Sequence, residues 1–294
     1  MSAWLGSIAE VSTLVFAISS MLTVGLSYTI AQILAPLRDG RAVGRILLAN
    51  FVLVPLLAFA IVRGFALPLD AAMGILLLGT AAGAPFLIKL TAVAGGNIGM
   101  AAGLLVMLIV ATILYMPFVV PLITPDVSVD AMAIALPLVL SMLLPLAIGL
   151  VVDSRQPKLA ERLRPLTQTL STLSLLVLLA SLVTLHLHAI LPLLTLRSVL
   201  AALAFPLGAF AIGHLLERRG VIAGEVLALG TAQRNVAAAL VVATQNVHDR
   251  ETTLMIVFVS IVTLAMLFLF AWLASKRRPP SGTGVAGQGP HGFP

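Results

Sequence analysis

Nine stretches of this chain are each long and apolar enough to cross a bilayer, and that leaves few folds open. Crossing the ~30 Å hydrocarbon core takes about 20 residues of helix. The runs 8–35, 44–64, 70–93, 97–123, 131–152, 166–187, 198–216, 221–246 and 252–275 each supply them. Proline inside a membrane helix marks a kink and need not end the span, so Pro117 and Pro121 stay within the fourth. Only 10% of the residues are charged, against about 25% in a soluble domain. The expected fold is therefore all-α and polytopic, with no sizeable domain outside the membrane.

The charged residues that remain set the orientation. Arg38, Arg41, Arg45, Arg155, Lys158, Arg162, Arg164, Arg218, Arg219, Lys276, Arg277 and Arg278 fall at one set of span ends, and Arg63, Arg197 and Arg250 at the other. Basic loops stay in the cytoplasm. An odd number of spans then puts the N-terminus outside and the C-terminus in the cytoplasm of a multi-pass cell-membrane protein. The net charge of +6 is accounted for by helix ends in contact with the bilayer surface, with no nucleic-acid partner. The basic, polar stretch 154–165 reads as a cytoplasmic loop. Residues 1–275 read as a single transporter domain, with repeats at about 8–123 and 131–275. Residues 276–294 read as a basic, then Pro/Gly/Ser-rich disordered tail. The first run lacks a basic leader and reads as a retained helix.

Two cations sit at bilayer depth, Lys89 in the third run and Arg234 in the eighth. Each costs roughly 2.5–3.5 kcal/mol to insert, so each marks a wet cavity or a specific partner. Helix-weakening sequence precedes both: Gly83 and Pro85 before Lys89, and Gly230 before Arg234. The two runs cross in opposite directions. Broken, charged helices of opposite sense are what an inverted-repeat transporter places at its midplane. The candidate substrate or ion-coupling residues are Lys89, Thr91, Asn97, Thr231, Gln233, Arg234, Asn235 and Asn50. Arg234 has two readings, a site cation or a side chain paired with helix carbonyls. Lys89 is a site cation or snorkels to water. Asn97 also suits the N-cap of the fourth span, and Asn50 an interhelical hydrogen bond.

Other chemistry is excluded or weak. With no Cys there is no disulfide or thiolate. No HExxH, GxSxG or paired intramembrane carboxylates occur, so the chain is not read as an enzyme. His186 and His188, with His248, Asp249 and Glu251 on the same side, read as interfacial, and no metal or cofactor is expected. A phosphate loop at Gly95, Gly96 and Gly99 fails, because no strand precedes it.

Four stretches carry a family resemblance: MLTVGLSY from Met21, ANFVLVP from Ala49, GAPFLIKLTAVAGGNI from Gly83 and GTAQRNVAAAL from Gly230. Together they are similar to the bile acid:sodium symporter superfamily, in a nine-span form. The resemblance implies two crossed, discontinuous helices and two bundles, a panel of spans one, five and six and a core of the other six. It also implies transport of small organic anions by alternating access, coupled to sodium. The sodium ligands are where this chain departs. The family's Ser-Asn pair falls at Leu87 and Ile88, its hydroxyl positions at Ala101 and Leu105, and its acid at Leu229. Gln233 remains, and Asn50 stands where the family has Gln. The reading is that Lys89 and Arg234 take over the electrostatic work of the bound cation. They would draw in an anion, with partial charge from the half-helix ends. Arg234 would grip the anion bidentately. The alternative is a proton-coupled carrier or exporter, resembling auxin-efflux or sodium/proton antiporter folds, with Lys89 as the titrating group.

Overall fold

The structure, a computed structural model, describes residues 2–34, 38–123, 131–190, 195–217, 226–243 and 250–277. Among them every regular element is a helix, as lipid demands of a backbone that must satisfy its own hydrogen bonds. Six helices are long and apolar enough to span: Gly6–Ser27, Gly40–Gly64, Ile98–Ile123, Ala135–Arg155, Leu196–Leu216 and Glu251–Lys276. The expected tail lies outside the described residues from 278 onward, as do His248 and Asp249. The side chains of His186 and His188 are likewise not described.

Several boundaries differ from expectation, each for a local reason. The first run ends early: α1 (Ser2–Ser27) gives way to a short α2 (Ile30–Leu34). Thr29 and Gln32 form a reciprocal cap there, with Gln32 Oε1 accepting from the Thr29 N–H and Thr29 Oγ1 accepting from the Gln32 N–H. The second run is one helix, α3 (Gly40–Leu48) and α4 (Val54–Gly64) joined by a π turn over Ala49–Leu53. The fifth, α8 (Ala131–Leu138) and α9 (Leu144–Arg155), has the same device over Val139–Leu143. The stretch 154–165 is not a loop: only Gln156 separates the end of α9 from the start of α10 (Pro157–Ile190). Pro157 suits a first helical position, where its missing N–H is no loss, and the charged residues that suggested a loop are good helix formers.

The third and eighth runs are interrupted. In the third, α5 (Leu69–Thr80) and α6 (Leu87–Val93) flank a non-helical stretch at 81–86. In the eighth, α12 (Val226–Ala232) and α13 (Val236–Val242) flank 233–235. Neither half of either run is long enough to span alone. Between and after them come α7 (Ile98–Ile123), which carries Pro117 and Pro121 without a break, α11 (Leu196–Leu216) and α14 (Arg250–Arg277).

The helix α1 packs chiefly along α10 and α9. With α9 it makes backbone contact: a Cβ on Gly149 would sit 2.7 Å from Leu22 O and 2.9 Å from Gly25 Cα. Small residues allow this approach where lipid supplies no hydrophobic drive between helices. Ser20 and Ser171 hydroxyls join α1 to α10 at 2.6 Å. Arg164 closes the basic end of the trio, donating to Asp153 Oδ1 at 2.7 Å and to Leu26 O. Gly149→Ala should force α1 and α9 apart and cost about 1–3 kcal/mol of overpacking. It should appear as a lower unfolding midpoint of the detergent-purified protein. The other helices pack around α5, α12 and α7, with α14 against α5 and α11 against α4 and α12.

Candidate functional site

The two interruptions meet. Ala82 and Arg234 pair as an isolated antiparallel bridge, and the Asn235 N–H donates to Ala81 O at 2.9 Å. A third element pins the contact: Thr112 Oγ1 on α7 accepts from the Ala82 N–H at 3.1 Å and donates to Ala82 O at 2.9 Å. Asn235 caps α13 through Oδ1, which accepts from the Ala238 N–H, while its Nδ2 donates to Gly83 O at 3.0 Å. The chain is thus free to leave helix twice at the same depth, because the polar groups released by one break are taken up by the other.

Arg234 fills the junction. It is 2% exposed, and each of its five N–H donors has an oxygen acceptor. Nε donates to Leu78 O at 3.0 Å and Nη2 to Gly79 O at 2.7 Å, at the end of α5, where the last carbonyls of a helix lack partners. Nη1 donates to Asn50 Oδ1 at 2.9 Å and to Thr231 O at 3.3 Å. Nη2 also donates to Asn50 O at 3.4 Å. That carbonyl is available for a sequence reason. In the π turn the Val54 N–H goes back to Ala49 O, and Pro55, next in line, has no N–H. Asn50 is held in turn, its Nδ2 donating to Ile46 O at 3.1 Å and Thr231 Oγ1 at 3.4 Å.

This geometry corrects two expectations. Arg234 keeps no donor for a substrate carboxylate in this conformation; it is the side chain paired with helix carbonyls. Gly230 is not a break. It lies within α12, where a Cβ would come 2.7 Å from Leu104 Cδ2 and 3.2 Å from Leu87 Cδ2. The helix ends two residues later at Ala232, just before Arg234 and Asn235 find acceptors across the junction. Gly83, with φ +80°, and Pro85 do lie in the first break.

The expected residues thus divide. Asn50, Thr231, Arg234, Asn235 and Gly83 come together. Asn97 caps α7, its Oδ1 accepting from the Met100 N–H at 3.1 Å. Thr91 and Gln233 are buried, and neither Thr91 Oγ1 nor Gln233 Oε1 has a hydrogen-bond partner. Lys89 is elsewhere. It lines a cavity of about 290 Å³ between the first break and the α1–α10 pair, and its Nζ donates to Thr172 Oγ1 at 2.5 Å. On the far side of Pro85 lies an apolar cavity of about 80 Å³, walled by Phe16, Phe86 and Leu175 and reached by Gln233 and Asn235. Ser20, Thr23 and Ser27 on α1, with Gln168 and Ser171 on α10, line the larger cavity. Sequence reading missed them and Thr112. Their signal was a hydroxyl stripe at helical spacing on an apolar helix.

Four of the positions that the resemblance assigned to sodium ligands are packed hydrocarbon: Leu87, Leu229, Ala101 and Leu105 are at most 1% exposed, while Ile88 is partly buried and lines the Lys89 cavity. Among the described residues no cluster of three or more His, Asp or Glu can hold a metal ion.

No curated protein matches the chain. The sequence does match the Sodium Bile acid symporter family over residues 14–193 of its 294. That stretch runs from α1 through the first break, the Lys89 cavity and α10, and stops short of Arg234. Members of that family are in general sodium-dependent solute transporters. A multi-pass helical membrane protein matched over more than half its length, with a broken helix inside the match, belongs to the Sodium Bile acid symporter family.

Proposed function

We propose that this protein is a secondary transporter of small organic anions that works by alternating access, and that Arg234 serves permanently as the cation its relatives borrow from solution. The observation that carries this is the guanidinium with all five donors on oxygens of three elements, α5, the π turn at Asn50 and α12. A cation bound among carbonyl and amide oxygens joins the broken helices and offsets the partial negative charge at the end of α5. A diffusible sodium ion would do the same work. Here the charge is tethered, and hydrocarbon replaces the acidic and hydroxyl ligands.

The paired breaks fit two inverted repeats of about 8–123 and 131–275, with nine crossings counted through the interrupted runs. The helices α1, α9 and α10, tied by Gly25, Gly149, Ser20–Ser171 and Arg164, form the panel. The rest form the core that carries the junction. The two cavities on either side of Pro85 lie between panel and core, where rocking of one against the other opens each in turn. The basic end faces the cytoplasm, so the Lys89 cavity is the inward one.

If Arg234 replaces the ion, uptake of a small labelled carboxylate into proteoliposomes proceeds equally in sodium, potassium or choline buffer. A strict requirement for a sodium gradient overturns the proposal. In the proton-coupled version Lys89, which lines the larger cavity, carries the proton. An imposed pH gradient then drives uptake in wild type and not in Lys89→Met.

A further inference from the structure

The Lys89 cavity has a composition that selects its occupant. Lys89 is the one formally charged side chain among its lining residues. The other polar groups are the hydroxyls of Ser20, Thr23, Ser27, Tyr28 and Ser171 and the amide of Gln168. The nearest ion pair, Arg164 with Asp153, is satisfied within itself. One positive charge in a small cavity matches one negative charge. A second would be left without a partner at a depth where that is costly.

The hydroxyls also have a sense. Thr23 gives its proton to Ser19 O at 2.7 Å, so its oxygen faces the cavity as an acceptor. Of Ser20 and Ser171 one hydroxyl donates to the other at 2.6 Å, and the accepting one keeps its own proton free. Thr172 gives its proton to Gln168 O at 2.8 Å and receives one from Lys89. Lys89 therefore has two further N–H donors for a carboxylate, while Thr23 Oγ1 offers an acceptor for a hydroxyl proton.

We propose that this cavity binds a hydroxy-monocarboxylate, with the carboxylate on Lys89 and a hydroxyl on Thr23. This rests on the transporter reading for its purpose, but it is a statement about binding and is tested as one.

The test is thermal unfolding of the full chain in detergent with glycerate as probe. Glycerol is the neutral control and malate the dianion. Glycerate should raise the unfolding midpoint saturably in wild type, with little or no shift from the other two. Lys89→Met should lose the shift. Thr23→Val, which keeps the charge and the shape, should need about tenfold more glycerate for the same shift. If Lys89→Met does not fold, Thr23→Val and Lys89→Arg decide, because the proposal requires a weakened response from the first and a retained one from the second. A glycerate shift that survives unchanged in Lys89→Met or Thr23→Val overturns the proposal, and so does the absence of any glycerate shift. Counterflow in proteoliposomes separates the two levels. Lys89-dependent binding without counterflow sinks the transporter reading and leaves the site standing. Counterflow of glycerate unchanged in Lys89→Met sinks the site and leaves the transporter standing.

Discussion

Arg234→Ala abolishes uptake and turns sodium into a stabilising ligand. Removing the guanidinium strands four acceptors at once, Gly79 O, Asn50 O, Asn50 Oδ1 and Thr231 O, while Leu78 O keeps the Ala81 N–H. Each buried acceptor left without a donor costs about 1–3 kcal/mol. The loss is therefore on the order of 5 kcal/mol before water enters, comparable to the whole stability of many domains. Alanine leaves a void ringed by those same oxygens, an environment of the kind that coordinates a hard cation. Sodium should then raise the unfolding midpoint of Arg234→Ala above its value in potassium at equal ionic strength, and do nothing for wild type. Arg234→Met fills the void with hydrocarbon, so it should be at least as unstable and indifferent to sodium. Arg234→Lys keeps the charge with three donors in place of five and should fall between. Full uptake in Arg234→Met, or a sodium-specific shift in wild type, would show that the guanidinium is not standing in for an ion.

Much of this was readable from residue types, and what was not has a common cause. Hydropathy exposed the spans, because a membrane helix has no other way to satisfy its backbone. A charge inside an apolar run exposed Lys89 and Arg234, because such a residue is too costly to persist idly. What Arg234 holds was hidden. Four of its five acceptors are main-chain carbonyls, which every residue has, and the Asn50 carbonyl is free only because a π turn and Pro55 cooperate. Glycine misled for a related reason. Gly83 and Gly230 look alike in sequence, yet one takes a positive φ in a break and the other lets Leu104 and Leu87 approach a helix. Thr112 reads as a packing residue in an apolar span until the Ala82 backbone is placed beside it.

The proposed site inverts the expected division of labour. Arg234, which looked like the anion grip, is spent on architecture. Lys89, six residues after the glycine of the first break, faces a cavity with donors to spare. If Arg234 is the built-in cation, the junction assembles without sodium, and in the proposed mechanism coupling comes from the occupant of the Lys89 cavity. The hydroxyl wall belongs to α1 and α10, while Lys89 belongs to the broken helix. In the proposed mechanism these are the two parts that move past each other, so the binding free energy of a solute held by both is available to change their relation.

Gly83→Ala should be nearly as damaging as loss of Arg234, although it removes no interaction. With φ +80° the residue sits where a side chain is strained, at about 1–3 kcal/mol. A Cβ there would also lie 2.7 Å from Ile109 N and 3.0 Å from the Leu108 carbonyl carbon, both backbone atoms of α7 that have no rotamer to change. Nor can the break slide away. Ala82, one residue earlier, is fixed at both backbone groups by Thr112, and Gly83 O itself receives the Asn235 amide. Any shift that relieves the clash pulls on the residue that caps α13. The methyl group should therefore lower the unfolding midpoint sharply and abolish uptake together. Gly44→Ala is the matched control: a Cβ there meets nothing within 4 Å, and alanine in an exposed helix position is favourable by about 1 kcal/mol. If Gly83→Ala behaves like Gly44→Ala in unfolding and in uptake, the first break is not clamped between α7 and α13, and the junction around Arg234 loses its frame.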